Sequence, residues 1–560
     1  VADLAYVEGE GPALYVLDGA ASRLLRLALP MDWDRVLAAG GDLAPIARRD
    51  IPIGRGGRLL REVKGHLVLA LHLDHELLIA PLGRDGPELG RARRIRHDGP
   101  IWGFAARADD AGLWIATGGV EDRPLDRTTG EFGYVDSFLT LYRLPWDAAG
   151  AAGEPIRLAV ENLSALGIVT PKALHFEEAD GPAPGDGPLL RVSGYGGERF
   201  GTWRLDGDRL RLVSTRDVPA GIADFVVRPA GVIAADPLLD RVLRFGGPGA
   251  GDAPVRASPE LAEAPLRTPA DRLGEILFFT TLMAPANRSA GDLSRFTCET
   301  CHFEGVIDGR THFTGRGHVH ATTKTLRGLG DNVPLFSRGG DRTLSSMVVS
   351  EFRVANQARR DSLPLEPEDH PWLADLAGLP GTIGPEAQRL GLLTFLIDFR
   401  HRPQPVRASG RPFGPAARRG LDVFARRCAA CHRPLTSTRD GGRVVPKAEW
   451  EAWLTDPDRD LVWGAPIFSK TGIEPYVGRA GARVPSLRRV ASKAPYFTNG
   501  SSPDLRSVLE RFRYRGLEAW HGEPAAAPAR PGEASPTGDA PVRALTKQEI
   551  EDLLALLRWF

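Results

Sequence analysis

The sequence predicts a multidomain chain: an all-β propeller of five to seven blades over residues 1–255, then two mostly α-helical domains over residues 266–410 and 411–560. Three observations lead there. Short β-rich runs recur through the first half at roughly forty to fifty residues, a spacing that suits four-stranded blades. A Gly-, Ala- and Pro-rich stretch from Gly247 to Pro265 then reads as a linker. Beyond it the chain repeats itself. Thr325-Leu326-Arg327 with Pro334, Phe336, Gly339 and Leu344 matches Ser486-Leu487-Arg488 with Pro495, Phe497, Gly500 and Leu505 at identical spacing.

The blade cores can be placed in order. Leu14 to Asp18 turns into Leu24 to Leu27, and Leu67 to Leu71 turns into Leu77 to Ala80. The pattern returns at Leu113 to Thr117, at Leu189 to Ser193, and at Gly231 to Ala235 into Arg241 to Phe245. A pair of β-sandwiches is the competing architecture. The Gly- and Asp-rich stretch from Glu121 to Val135 reads as an insertion on one face, where such folds bind partners. His72, His75 and His97 read as core or solvated histidines.

The second half is organised around Cys298-Glu299-Thr300-Cys301-His302 and Cys428-Ala429-Ala430-Cys431-His432. Each is C-x-x-C-H, the pattern of covalent c-type haem attachment, in which two thiols add to the porphyrin and the imidazole ligates iron. A thioredoxin-like redox pair does not need the following His, and half of a zinc site does not need it twice. The motifs use all four cysteines, so no disulfide is expected. The two domains are therefore read as cytochrome-c-like, one haem each, meeting face to face. Leu273 to Phe279 reads as an amphipathic helix entering the first motif, and Gly420 to Phe424 as a shorter echo before the second. Thr546-x-x-Glu549 is a capping box with Leu545 and Ile550 at staple positions, and Leu553, Leu554 and Leu557 continue the apolar stripe. Gly522 to Pro541 reads as a mobile loop.

Formal charge is balanced, with 71 basic and 71 acidic residues, so no nucleic-acid partner is implied. No run is long enough for a transmembrane helix. The chain begins at Val1 without an initiating Met, as expected of a processed protein. Covalent haem attachment takes place outside the cytoplasm, so a periplasmic or exported location follows.

These residues resemble the bacterial di-haem cytochrome c peroxidase family, which includes MauG-type proteins. The resemblance covers Asp271 to Phe560 and rests on L-G-x-x-L-F-F at Leu273 to Phe279, both C-x-x-C-H motifs, T-L-R-G-L at Thr325 to Leu329, and P-S-L-R with A-P-Y-F-x-x-G-S between Pro485 and Ser501. It implies one haem, usually the amino-terminal one, that reacts with hydrogen peroxide, and a second that passes electrons or shares oxidising equivalents. It also implies a possible calcium ion between the haem domains.

In the peroxidases a Met beyond A-P-Y-F-x-x-G-S ligates the electron-transfer haem, but no methionine follows Met347 here. MauG-like members place a Tyr there, which makes Tyr514 the candidate axial ligand, with His521 as the alternative. A phenolate stabilises ferric and higher states where a thioether favours ferrous iron. On the first haem the distal candidates are His312, His318, His320 and Met347. A His there either closes the resting site or acts as acid–base for O–O cleavage. Ser337 stands where the family's bridging Trp is expected. The family's distal Gln and Glu have Met347, Gln357 and Glu351 as their nearest positions. Trp372, Trp463 and Trp520 read as core before they read as a replacement bridge.

The function expected is a di-haem oxidoreductase using hydrogen peroxide to oxidise a small redox protein or a protein or peptide substrate, with the propeller as docking platform. A non-catalytic electron-transfer or sensor protein is the alternative, and a binding protein in which the propeller does the work is a third.

Overall fold

The computed structural model describes residues 1–560 apart from 1, 9–10, 20–21, 31, 39–46, 123–134, 178–186, 247–254, 260–267, 285–287, 290–291, 294, 314–319, 338, 357–362, 375–378, 380, 402–403, 409–411, 470–481, 517 and 523–540. The insertion near Glu121 to Val135, most of the linker, His318, Gln357 and nearly all of the loop from Gly522 lie outside the described residues. The chain divides into two compact units. One is built from residues 1–126, 133–301 and 355–388, the other chiefly from residues 302–354 and 389–560.

Among the described residues of the first unit, five larger antiparallel sheets follow one another along the chain, four of four strands and one of five. The first runs Asp3–Val7, Ala13–Asp18, Arg23–Ala28, Ala47–Pro52, and the last runs Asp224–Arg228, Gly231–Asp236, Arg241–Phe245, Arg256–Ala257. Each four-stranded sheet is a meander of neighbouring hairpins, whereas in the five-stranded one Glu76–Gly83 pairs with both Gly86–Pro87 and Arg93–Arg96. The opening strand of each packs beside the opening strand of the next, from Asp3–Val7 to Gly57–Val63, Ile101–Ala108, Ala173–Glu177 and Asp224–Arg228. This is a propeller-like arrangement. Apolar runs such as Leu67 to Leu71 are buried along their whole length, because both faces of those strands meet neighbouring sheets.

The expected fold class, an all-β propeller followed by two mostly α-helical cytochrome-c-like domains, does not hold. The protein is mostly β-sheet, 36% strand against 25% helix, with many small antiparallel sheets. Proline and glycine explain the difference, since they punctuate the apolar runs of the second half. Helices of eleven residues or more form at Pro269–Phe279, Leu344–Ala355, Pro385–Asp398, Pro415–Arg427 and Lys547–Leu557. The other α-helices among the described residues of that half have four to six residues. Between them lie two-stranded ribbons such as Thr311–Phe313 with His320–Thr322, and Phe468–Ser469 with Ala482–Arg483.

Two of the described helices of eleven residues or more open on capping boxes. Thr268 and Asp271 bond reciprocally at the start of Pro269–Phe279. Thr546 and Glu549 do the same at Lys547–Leu557. That terminal helix packs on Pro415–Arg427, where Gly420 permits the close approach: a Cβ there would strike the carbonyl of Asp552. Behind the second motif, Phe424, Trp450, Trp463 and Phe560 form an aromatic core, with Trp463 and Phe560 stacked at 4.1 Å.

The sequence repeat folds twice into one irregular shape within the second unit. Leu329–Asp331 and Val490–Ser492 are matching 3-10 turns, and Val333-Pro334 and Ala494-Pro495 are both cis. Phe336 and Phe497 share φ 63°, and Leu335 and Tyr496 donate to Asp341 and Ser502 at 2.7 and 2.8 Å. A helix follows each time, at Leu344–Ala355 and Leu505–Glu510.

Candidate functional site

The first thiol pair sits on the single turn Cys298–Cys301. Thr297 and Thr300 close it reciprocally: each backbone N–H donates to the other's hydroxyl, at 2.9 and 3.1 Å. The Cys298 thiol lies 3.3 Å from Met283 Sδ, and the Met283 carbonyl accepts from Asn356 Nδ2 at 3.1 Å. The second pair continues the helix Pro415–Arg427. Cys428 N–H donates to Phe424 O, and His432 N–H to Cys428 O, both at 2.8 Å. None of the four thiols is in a disulfide, and burial pushes Cys428 up to about 12.

The two histidines are presented alike. His302 donates from Nδ1 to the Lys324 carbonyl at 2.7 Å. His432 Nδ1 faces the Trp463 carbonyl at 3.3 Å, with the Pro485 backbone as a further partner. Lys324 and Pro485 immediately precede the repeated Thr325 and Ser486, so a main-chain group at the same place in each repeat lies by its imidazole, although His432 has Trp463 O as its main partner. Committing Nδ1–H to a main-chain oxygen leaves the Nε2 lone pair for a metal. Desolvation pushes both imidazoles down to about 4, so they are neutral and able to ligate near neutral pH.

Near His302 the ribbon Thr311–Phe313 pairs His312 with Ala321 and Phe313 with His320. Side chains alternate along a strand, so His312 and His320 point to opposite faces. His312 Nε2 meets Asp308 Oδ2 at 2.5 Å, and Asp308 is fully buried. The His312 and Arg310 charges hold the Asp308 carboxyl far below its usual range despite that burial. Met347 is core on Leu344–Ala355, and Glu351 lies one turn further along the same face. Desolvation, with Asp341's charge second, pushes the Glu351 carboxyl up to about 7.

At the second motif, Tyr514 and His521 share one ribbon, with Phe512 across from His521 and Ala519 across from Tyr514. The Arg427 guanidinium, next to Cys428, covers the Tyr514 ring at 3.8 Å. His521 packs edge-on to Phe497 and Phe512 at 5.1 and 5.5 Å. Burial, then the charges of His432 and Arg511, push His521 down to about 3. The fold thus puts His521 near the second motif's imidazole, and Tyr514 under the cation that precedes its thiols. Trp463 is buried in the aromatic core, Trp520 is 5% exposed, and Trp372 donates to Glu198 in the first unit.

Sequence reading missed a basic seam in the second unit. Desolvation pulls Lys324 down to about 8, Lys493 to about 7 and Arg483 to about 10. It also holds His401 well down, helped by the Lys493, Arg488, Arg489 and Arg327 charges. A pocket here is lined by Glu304, Thr325, Arg327, His401, Arg489 and Lys493, among others. Asp331 accepts from Ser437, Thr438 and Arg488, and Asn332 Oδ1 from Arg483 and Ser486. Such surroundings suit an anion more than the calcium ion implied by the family resemblance. No local pattern marks this seam, because its cations come from three separated segments.

No protein-family model matches the chain, and no curated protein matches it in sequence. Among solved structures, a MauG-like protein associated with microbial copper homeostasis is 18% identical, covering 53% of this chain and 91% of that one at a TM-score of 0.32. Hydrazine synthase from Kuenenia stuttgartiensis is 16% identical, covering 53% and 89% at a TM-score of 0.29. The dihydro-haem d1 dehydrogenase NirN is 14% identical, covering 43% and 44% at 0.27. At these values the neighbours establish neither a fold nor an activity for this chain.

Proposed function

We propose that each C-x-x-C-H motif carries one covalently attached haem c, and that the protein is a periplasmic or exported di-haem oxidoreductase using hydrogen peroxide to oxidise a protein substrate or redox partner. One observation carries this reading: both motif imidazoles spend Nδ1–H on main-chain oxygens, which leaves Nε2 available next to a thiol pair that no disulfide ties up. The donor set therefore fits the group, with thiols for the thioether bonds and a neutral imidazole for iron. Bound there, a haem supplies redox-active iron and, where the far side is open, a position for peroxide.

The chain's own residues divide the remaining work. Glu351, with its carboxyl near neutrality, takes the peroxide proton and returns it to the leaving oxygen. Asp308 orients His312 from the buried side. The basic seam compensates anionic groups such as porphyrin carboxylates. The propeller-like sheets offer a surface for a protein partner.

A second reading is an electron-transfer or sensor protein, favoured by the position of His521. Were His521 to join His432 in holding the second group, the iron would be less available to peroxide. Peroxide titration of the purified chain, followed by optical and spin-resonance spectra, separates the two. A high-spin ferric signal and consumption of peroxide support the enzyme. Two low-spin centres inert to peroxide, even after half-reduction, support the carrier. H521A, with Y514F beside it, identifies which of the two side chains would help to hold the second group.

A further inference from the structure

The turn Cys298–Cys301 is gripped through its second residue by the propeller-like part of the first unit. Glu299 has a side chain that is 0% exposed, and a buried carboxylate needs a partner. Lys172 supplies it. Its Nζ donates to Glu299 Oε1 at 2.7 Å, from a side chain only 9% exposed.

The same ammonium lies 3.6 Å from the centroid of the Tyr195 ring, with Phe279 and Trp102 at 5.5 and 5.6 Å. Aromatic faces stabilise a desolvated cation, so the lysine is held charged and in place. The backbone around it is tied down as well. Tyr195 N–H donates to Thr170 O, and Gly196 N–H to Thr170 Oγ1. Thr281, just past the helix Pro269–Phe279, donates to Gly196 O at 3.0 Å. The thiol turn cannot shift without moving a buried ion pair set in an aromatic cage.

We propose that Lys172 is a positioning residue for the first motif: through Glu299 it fixes the Cys298–Cys301 turn, balances the charge beside it, and so sets the redox potential of the iron bound there. This rests on reading the motif as a haem site. Glu299 is adjacent in sequence to Cys298, so its charge lies close to whatever the thiols hold, in a site shielded from water. Without Lys172 an uncompensated anion remains, and it favours the more oxidised iron. Without Glu299 the lysine remains, and it favours the reduced iron.

The test uses the full chain with its haems, and reads both midpoint potentials by spectroelectrochemical titration at pH 8. K172Q is expected to lower one midpoint and leave the other in place, E299Q to raise that same midpoint, and K172R to restore it. Midpoints unmoved in both K172Q and E299Q, with two haems still attached, overturn the inference. If K172Q does not accumulate, E299Q against K172R decides, and an E299Q midpoint equal to the parent's overturns the proposal. A parent chain without covalent haem overturns the haem reading and this inference together, whereas two haems with unmoved potentials overturn this inference alone.

Discussion

The hydroxyls of Ser337 and Thr498 are hydrogen-bonded at 2.9 Å, and the two residues occupy the same place in the sequence repeat. Around them the contacts come in pairs. Thr322 N–H donates to Thr498 O at 2.7 Å, and Arg483 N–H, the repeat equivalent of Thr322, donates to Ser337 O at 3.0 Å. The repeats therefore meet about a local two-fold that passes between the two hydroxyls. Ser337, standing where a bridging Trp is expected, is part of this seam.

Removing that central bond tests the seam. S337A and T498V are each expected to cost about 0.5–1.5 kcal/mol, the net worth of one hydrogen bond. The double variant should cost less than the sum, because the second change breaks nothing new. Denaturant midpoints measure this; strict additivity would show that the two hydroxyls are not coupled.

Asp308 is fully buried, with His312 and Arg310 as partners. D308A leaves those cations without their anion and is expected to destabilise by about 3–5 kcal/mol. The folded carboxyl is depressed, so its stabilisation is present above the ordinary value near 4 and is lost as pH falls through the much lower folded value. Unfolding curves should show parent and D308A converging only in strong acid.

A carboxyl raised to about 7 is neutral below that pH and anionic above it. If Glu351 takes the peroxide proton, the rate of reaction with peroxide rises through pH 7. E351Q should remove that inflection and slow the reaction roughly 10²–10⁴-fold at pH 8, with haem content unchanged. Stopped-flow rates from pH 5.5 to 9 decide it.

His370 Nδ1 lies 3.0 Å from both oxygens of Glu198, whose hydrogen bond raises the imidazole above its ordinary value. The sign follows: this stabilisation is full below about 6.5 and fades as pH climbs through the raised folded value. Its size should be at most about 1 kcal/mol, since both side chains keep some exposure. The difference in urea midpoint between pH 6 and pH 9 should shrink in H370Q.

G420A sets two effects against each other. Alanine in a helix interior gains about 1 kcal/mol over glycine, but here its Cβ meets the Asp552 carbonyl of the packed helix. Overpacking of this kind costs about 1–3 kcal/mol, so the clash should win or cancel the gain. A melting temperature clearly above the parent's would contradict the close helix approach.

What the sequence determined by itself is what local covalent and short-range geometry controls. The C-x-x-C-H pairs, the repeat from Thr325 and Ser486, the capping box of Thr546 and Glu549, and the β-rich runs from Leu14 to Phe245 all depend on neighbours within a few residues. The helix content of the second half did not follow from those signals, because Pro and Gly between the apolar runs left room for turns and ribbons. Only the tertiary structure decided that Lys172 would meet Glu299 across 127 residues, that Arg488 would claim Asp331, and that His521 would lie near His432 while Tyr514 lay under Arg427. The physical reason is common to all three. A buried charge or imidazole takes its partner from whichever segment packs against it, and that choice is made by the folded chain as a whole.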